Sequence, residues 1–131
     1  METISAQIDT RLYRTEIKSG SGNIVIADEP VAVGGKNLGF SPSELLASAL
    51  ASCTLITLRM YINRKQWNVS EINIKVDFEK DADKKLSLLT RKIEIIGEID
   101  EAQKHRLTTI ANGCPIHKTL TNTIQIQTTL I

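Results

Sequence analysis

Two cysteines are the residues of this chain best suited to chemistry. Cys53 sits in "SELLASALASCTLITL" and Cys114 in "ANGCPIHKTL". A thiolate is a nucleophile, a reductant and a metal ligand, and its abundance is set by the thiol pKa. Cys114 follows a glycine and precedes a proline, which predicts the N-cap of a helix with Pro115 at its first position. A thiol there faces the positive end of the helix dipole, and its pKa falls. Two readings of Cys114 follow: a reactive or resolving thiol, or a small buried apolar residue at a tight helix junction. Cys53 is expected in mid-helix beside Ala49, Leu50, Ile56 and Thr57, where desolvation raises a thiol pKa. On its own it reads as an inert core residue, unless a cation approaches from another element.

Arg14 is the cation that the residue pattern offers. In "TISAQIDTRLYRTEIK" it shares an alternating face with Ile4, Ala6, Ile8 and Leu12, and an arginine aimed at a core needs a thiolate or carboxylate partner. The competing reading ends or bulges the strand before Arg14 and leaves the side chain in water. His105, Cys114, His117 and Cys53 are the residues from which a zinc set could be assembled. "CPIH" lacks a second CxxC or HxxxH at standard spacing, so no metal or cofactor is expected. His117 as a base beside Cys114 competes with a solvated or hydrogen-bonded bystander on a helix.

The elements that must hold these residues are readable from local signals. The first alternating stretch, the turn "KSGSGN" and the run "NIVIAD" read as a hairpin. A Pro/Gly-rich connection follows. Ser41, Pro42 and Glu44 form a capping box that opens a long helix to about Arg64. Leu46, Ala47, Ala49, Leu50, Ala51, Leu55, Ile56 and Leu58 make it apolar on every face, so it is expected to be buried on several sides. "VSEINIKVDFEKDADKK" and "LLTRKIEIIGEI" read as a second hairpin, with Ile72, Ile74, Val76 and Phe78 on one face. Asp100 and Gln103 cap a short helix that ends by Gly113, a further helix follows Cys114, and "NTIQIQTTL" is expected as a last strand. Strands arrive in pairs, so the expected class is α+β with antiparallel sheets around a long buried helix.

Composition narrows the rest. The 131 residues match one domain, expected to span 1–131, and the formal net charge of +1 marks no polyanion binder. Aromatics make up only 4%, which argues against a nucleic-acid platform. The N-terminus lacks a basic segment followed by an apolar one, and the apolar run Leu45 to Leu58 is too short to span a bilayer. The expectation is a cytoplasmic protein with no membrane partner, in which two cysteines are free, redox-active or metal-binding rather than a permanent crosslink.

The segments "DEPVAVGGKNLGFSPSELLASALASCTLITL" and "ANGCPIHKTL", together with the element order, resemble the osmotically inducible protein C-like family, which includes the organic hydroperoxide resistance proteins (OsmC/Ohr). The likeness covers nearly the whole chain. It implies an intertwined homodimer with active sites at the subunit interface. It implies that Cys53 is the peroxidatic residue, oxidised to a sulfenic acid by an organic hydroperoxide, and that Cys114 resolves it as an intramolecular disulfide. A dithiol reductant, in some members a lipoyl-bearing protein, would complete the cycle. The apolar surroundings of Cys53 would then suit the organic tail of the substrate.

Family peroxidases activate the first thiol with an arginine from the first strands and a glutamate at the helix start. Arg14 matches the arginine approximately, without a Gly-Arg-Gly-like pattern around it. Ser43 occupies the usual glutamate position and Glu44 lies one later. Nine positions at about 100° and 1.5 Å each put Glu44 on the far side of the helix from Cys53 and roughly 13 Å along it. Glu44 could meet the site only by helix distortion or from the partner chain, and the competing reading gives it helix capping as its local role. "PSELLASALASC" is more similar to the OsmC-like branch than to the hydroperoxide resistance branch. A binding or redox-sensing module for a small hydrophobic ligand, on the same scaffold, is the alternative to a thiol peroxidase.

Overall fold

A computed structural model describes all 131 residues. The chain gathers into two compact units, Met1–Ala47 and Ser48–Ile131. The first holds strands β1 (Ile4–Ile8), β2 (Thr15–Ser19) and β3 (Ile24–Ala27) in one antiparallel sheet, in sequence order. Ile8 pairs with Thr15, and Lys18 pairs with Ile24. The expected single strand from the N-terminus through Arg14 is therefore two strands joined by a bend. Asp9 supplies the reason: its carboxylate accepts the backbone N–H of Arg11 at 2.8 Å and that residue's guanidinium at 2.8 Å. This side-chain turn competes with the extended ladder and reverses the chain. Arg14 consequently does not share a strand face with Ile4, Ala6 and Ile8.

Asp28 organises the connection after β3. It is 3% exposed, and its carboxylate accepts backbone N–H bonds from Tyr13, Glu29, Lys36 and Leu38 at 2.7–3.2 Å. Burial pushes its pKa up, but the four donors outweigh burial and hold it below the ordinary carboxylate value. Gly35 packs so closely on the Glu29 carbonyl that a β-carbon would collide with it. This explains the Gly-rich segment by close backbone approach.

Helix α1 (Pro42–Lys65) starts with the expected reciprocal cap, in which Glu44 N–H donates to Ser41 Oγ at 3.2 Å and Ser41 N–H donates to Glu44 Oε1 at 3.0 Å. The second unit then contains β4 (Val69–Asp81), β5 (Leu86–Gly97), α2 (Glu101–Asn112) and α3 (Pro115–Thr121). β4 and β5 form one long antiparallel hairpin, pairing Ile72 with Ile95, Ile74 with Ile93, Val76 with Arg91 and Phe78 with Leu89. Asp100 caps α2 with Gln103 as expected. The core joins Leu58, Tyr61 and Ile62 of α1 to Val69, Leu107 and Ala111, with Ile72, Ile93 and Ile95 packed against it.

Two expectations about the elements are corrected. Residues 122–131 form no strand, because no strand of this chain lies alongside to complete their alternating pattern, and all of them are exposed. Helix α1 has a buried stripe of Leu50, Thr54, Leu58, Tyr61 and Ile62, whereas Ile56 and Met60 on another side are 54% and 68% exposed. Within one chain it is thus covered on one side rather than several. At 24 residues it is also longer than the apolar run that seeds it, and by length and composition alone it is sufficient to cross a membrane. The buried stripe is that of a core helix.

Candidate functional site

The second unit brings the two cysteines together. Cys53 lies midway along α1 and is half-buried, while Cys114 is 0% exposed. They approach to 3.7 Å as free thiols. A disulfide needs about 2.05 Å between sulfurs, so a small side-chain movement separates the reduced pair from a bonded one. Cys53 Sγ accepts the backbone N–H of Ile116 at 3.5 Å.

Cys114 is the N-cap of α3, with Pro115 at the first helical position as the sequence predicts. Its Sγ accepts the backbone N–H of His117 at 3.4 Å, which is what a capping serine oxygen would do. Thr54, one residue beyond Cys53 and fully buried, brings its Oγ1 to 3.9 Å from the same sulfur. Burial of Cys114 pushes its thiol pKa up. The His117 N–H, the Cys53 and Thr54 side chains and the Arg91 charge act against it, and together they leave the pKa below the ordinary thiol value.

Arg91 and Thr54 are the residues that sequence reasoning missed. One Arg91 amino group, Nη1, donates to Thr54 Oγ1 at 2.9 Å and to the Ala111 carbonyl at 3.0 Å. The other, Nη2, donates to Asn112 Oδ1 at 3.0 Å and meets His117 Nδ1 at 2.7 Å. A guanidinium only donates, so Nδ1 is the acceptor and the imidazole proton belongs on Nε2. His117 is therefore hydrogen-bonded to β5, as the hydrogen-bonded form of the bystander reading has it. The signal was present in the alternation of Leu89, Arg91, Ile93 and Ile95, which sets an arginine on the apolar face of β5.

Arg14 and Glu44 belong to the first unit. Arg14 Nη2 lies 4.0 Å from Glu16 Oε2 with its side chain 31% exposed. Glu44 closes the α1 capping box, and those bonds from Ser41 lower its pKa. His105 is exposed on α2, and no three His, Cys, Asp or Glu side chains gather as a metal-ligating group. A groove of about 680 Å³ opens between β5 and α2, with an apolar floor of Leu58, Ile93, Ile95, Leu107 and Ala111 and a polar rim of Arg91, Glu94, Lys104, Thr108 and Asn112.

Solved structures share this architecture. A Psychrobacter arcticus 273-4 protein, described as osmotic-stress-induced and of the detoxification response, is 28% identical with a TM-score of 0.79, over 91% of this chain and 88% of its own. An OsmC-like protein from Mycoplasma pneumoniae is 21% identical with a TM-score of 0.77, over 92% and 86%. The organic hydroperoxide resistance protein OhrB of Bacillus subtilis is 20% identical with a TM-score of 0.62, over 92% and 90%. The chain matches no curated protein sequence. The α+β class with antiparallel sheets is that of these OsmC-like folds. A family model described as OsmC-like protein matches residues 34–129, a span that includes both cysteines and Arg91, and the chain belongs to the OsmC family.

Proposed function

We propose that this chain is a cysteine-based thiol peroxidase that reduces organic hydroperoxides. The observation that carries the proposal is the 3.7 Å approach of Cys53 and Cys114, 61 positions apart in the chain. Cys53 is the more exposed thiol, so an oxidant meets it first. Its thiolate attacks one peroxide oxygen and the O–O bond breaks. The departing alkoxide takes up a proton and leaves as an alcohol, and Cys53 becomes a sulfenic acid. The Cys114 thiolate then attacks the Cys53 sulfur, the sulfenic hydroxyl leaves as water with one proton, and a disulfide remains. A dithiol reductant returns both thiols by exchange. Membership of the OsmC family, alongside structural neighbours named for hydroperoxide resistance, supports a redox role.

In this proposal Arg14 and Glu44 assist activation of Cys53, and the protein works as a cytoplasmic homodimer. The uncovered Ile56 and Met60 side of α1 and the exposed tail from Asn122 onward support a second copy. The test is thiol titration and intact mass before and after one equivalent of cumene hydroperoxide. Loss of both thiols and of two hydrogens per chain, without an intermolecular link, is expected. Retention of both thiols overturns the proposal.

The groove of about 680 Å³ favours a second reading, a module that binds a small hydrophobic ligand. Fatty-acid-dependent melting shifts that persist in Cys53→Ser, with no peroxide consumed by the wild-type chain, would select it.

A further inference from the structure

Arg91 carries a charge that nothing beside it neutralises. It is half-buried on the apolar face of the β4–β5 hairpin, opposite Val76. Its two amino groups make four contacts, to a hydroxyl, a carbonyl, an amide oxygen and an imidazole nitrogen, and all four are neutral acceptors. A guanidinium withdrawn from water without a carboxylate is costly, and such residues are usually paired. The Cys114 thiol is a group that can become an anion within reach of the Arg91 charge. Thr54 Oγ1 lies between them, 2.9 Å from Arg91 Nη1 and 3.9 Å from Cys114 Sγ, with its own proton donated to the Leu50 carbonyl at 2.7 Å. The charged or titratable side chains gathered around that sulfur are Cys53 from α1, Arg91 from β5 and His117 from α3 itself.

A simpler role competes. The Ala111 carbonyl and Asn112 lie at the end of α2, where an arginine is a favourable helix cap. Capping uses only two of the four contacts. The contacts to Thr54 and His117 extend away from α2 and toward the residues that touch the Cys114 sulfur.

We propose that Arg91 is the positioning cation of the cysteine pair: it ties Thr54 of α1 and His117 of α3 to β5 around Cys114, and its charge favours the thiolate that closes on Cys53. The timing of disulfide closure rests on the peroxidase proposal above. The thiolate at Cys114 does not. When Cys114 attacks oxidised Cys53, its negative charge leaves with the departing hydroxide, which is protonated to water, and the resulting disulfide is neutral. Arg91 therefore favours the reduced, ionised state and is released from its counter-charge when the bond forms.

The experiment separates the two layers. In a Cys53→Ser background Cys114 is the single thiol, and its ionisation is followed by ultraviolet thiolate absorbance against pH. Arg91→Met is expected to move ionisation to higher pH, and Arg91→Lys to move it less. A curve for Arg91→Met that superimposes on its parent, or equal shifts for Met and Lys, overturns the proposal. Should Arg91→Met fail to fold, Arg91→Gln takes its place, since it removes the charge and keeps a polar donor for Asn112 and His117. An unmoved curve there overturns the proposal too. In the chain with both cysteines, Arg91→Met should slow disulfide closure by at least about tenfold, so that dimedone traps Cys53 sulfenic acid that the wild type does not accumulate. If the wild type consumes no hydroperoxide at all, the peroxidase proposal falls while the absorbance comparison still decides Arg91.

Discussion

Arg14 and Arg91 occupy similar places in sequence, each in an alternating stretch with apolar residues two positions away, yet the structure treats them differently. Arg14 lies just before β2 with a side chain 31% exposed and a carboxylate 4.0 Å away. Arg91 lies within β5, held by four neutral acceptors next to a buried thiol. The first is a half-buried side chain with a single charge contact at 4.0 Å, of the kind that contributes little to stability. The second cannot be removed without stranding partners, and its charge acts on whatever nearby group can ionise. What an arginine does here is decided by whether a carboxylate reaches it first.

The largest expected effect lies in the cysteines that Arg91 serves. Cys53→Ser should abolish hydroperoxide turnover, and Cys114→Ser should allow one oxidation that stops at a trapped sulfenic acid, both read by peroxide consumption and intact mass. Unchanged steady-state activity in either variant would remove the redox pair from the mechanism, and with it the contrast between the two arginines as functional residues.

Arg91→Met should come next, costing roughly 1–2 kcal/mol in urea unfolding, because it takes the donor from His117 Nδ1 and Asn112 Oδ1, while the Ala111 carbonyl keeps the Cys114 N–H and Thr54 keeps its bond to the Leu50 carbonyl. A cost below about 0.5 kcal/mol would place Arg91 with Arg14 as a surface charge.

The first unit has its own charged organiser, and its response is to pH. Asp28 has a depressed pKa in the folded chain, so its contribution is present above the unfolded carboxylate value of about 3.9 and is lost as pH falls through the folded value. Acidification below about pH 4 should release the 29–38 connection, seen as faster amide exchange at Lys36 and Leu38, whose N–H groups it holds. Asp28→Asn should reduce that acid sensitivity. A profile identical to the wild type would mean the carboxylate charge is not what holds the loop. A smaller effect is expected at the α1 cap: Ser41→Ala should cost about 1 kcal/mol of stability, since it removes the acceptor for the Glu44 N–H.

These regions also differ in how much of them sequence alone discloses. The caps at Ser41, Asp100 and Cys114 were legible because each depends on residues within a few positions. The β4–β5 hairpin was legible because its alternation is long and its turn short. The cysteine contact was not, since 60 intervening residues say nothing about where two helices meet. Arg14 was misplaced because the Asp9 turn interrupts a pattern that otherwise keeps its period. The tail from Asn122 has strand periodicity, but periodicity describes one face and cannot provide the neighbour it needs. Arg91 was legible in principle from the signal that also marks Arg14, a cation within an apolar alternating stretch. On β5 the cation does stand on the apolar face, whereas in the first unit the Asp9 turn takes it off that face.

The smallest structural effect is expected at Arg14, and it sharpens the comparison most. Arg14→Met should change stability by no more than about 0.5 kcal/mol, since a single charge contact to Glu16 is all that is lost. It should also leave the Cys114 ionisation curve unmoved, whereas Arg91→Met shifts it. Family resemblance assigns Arg14 to activation of Cys53, so the rate of the first oxidation, measured with limiting hydroperoxide, should fall in this variant while disulfide closure keeps its wild-type rate. The two arginines would then divide the cycle, one acting on attack and the other on resolution. If the first oxidation is also unaffected, Arg14 is a surface residue paired with Glu16, and Arg91 is the cation that remains to be credited with tuning the thiols.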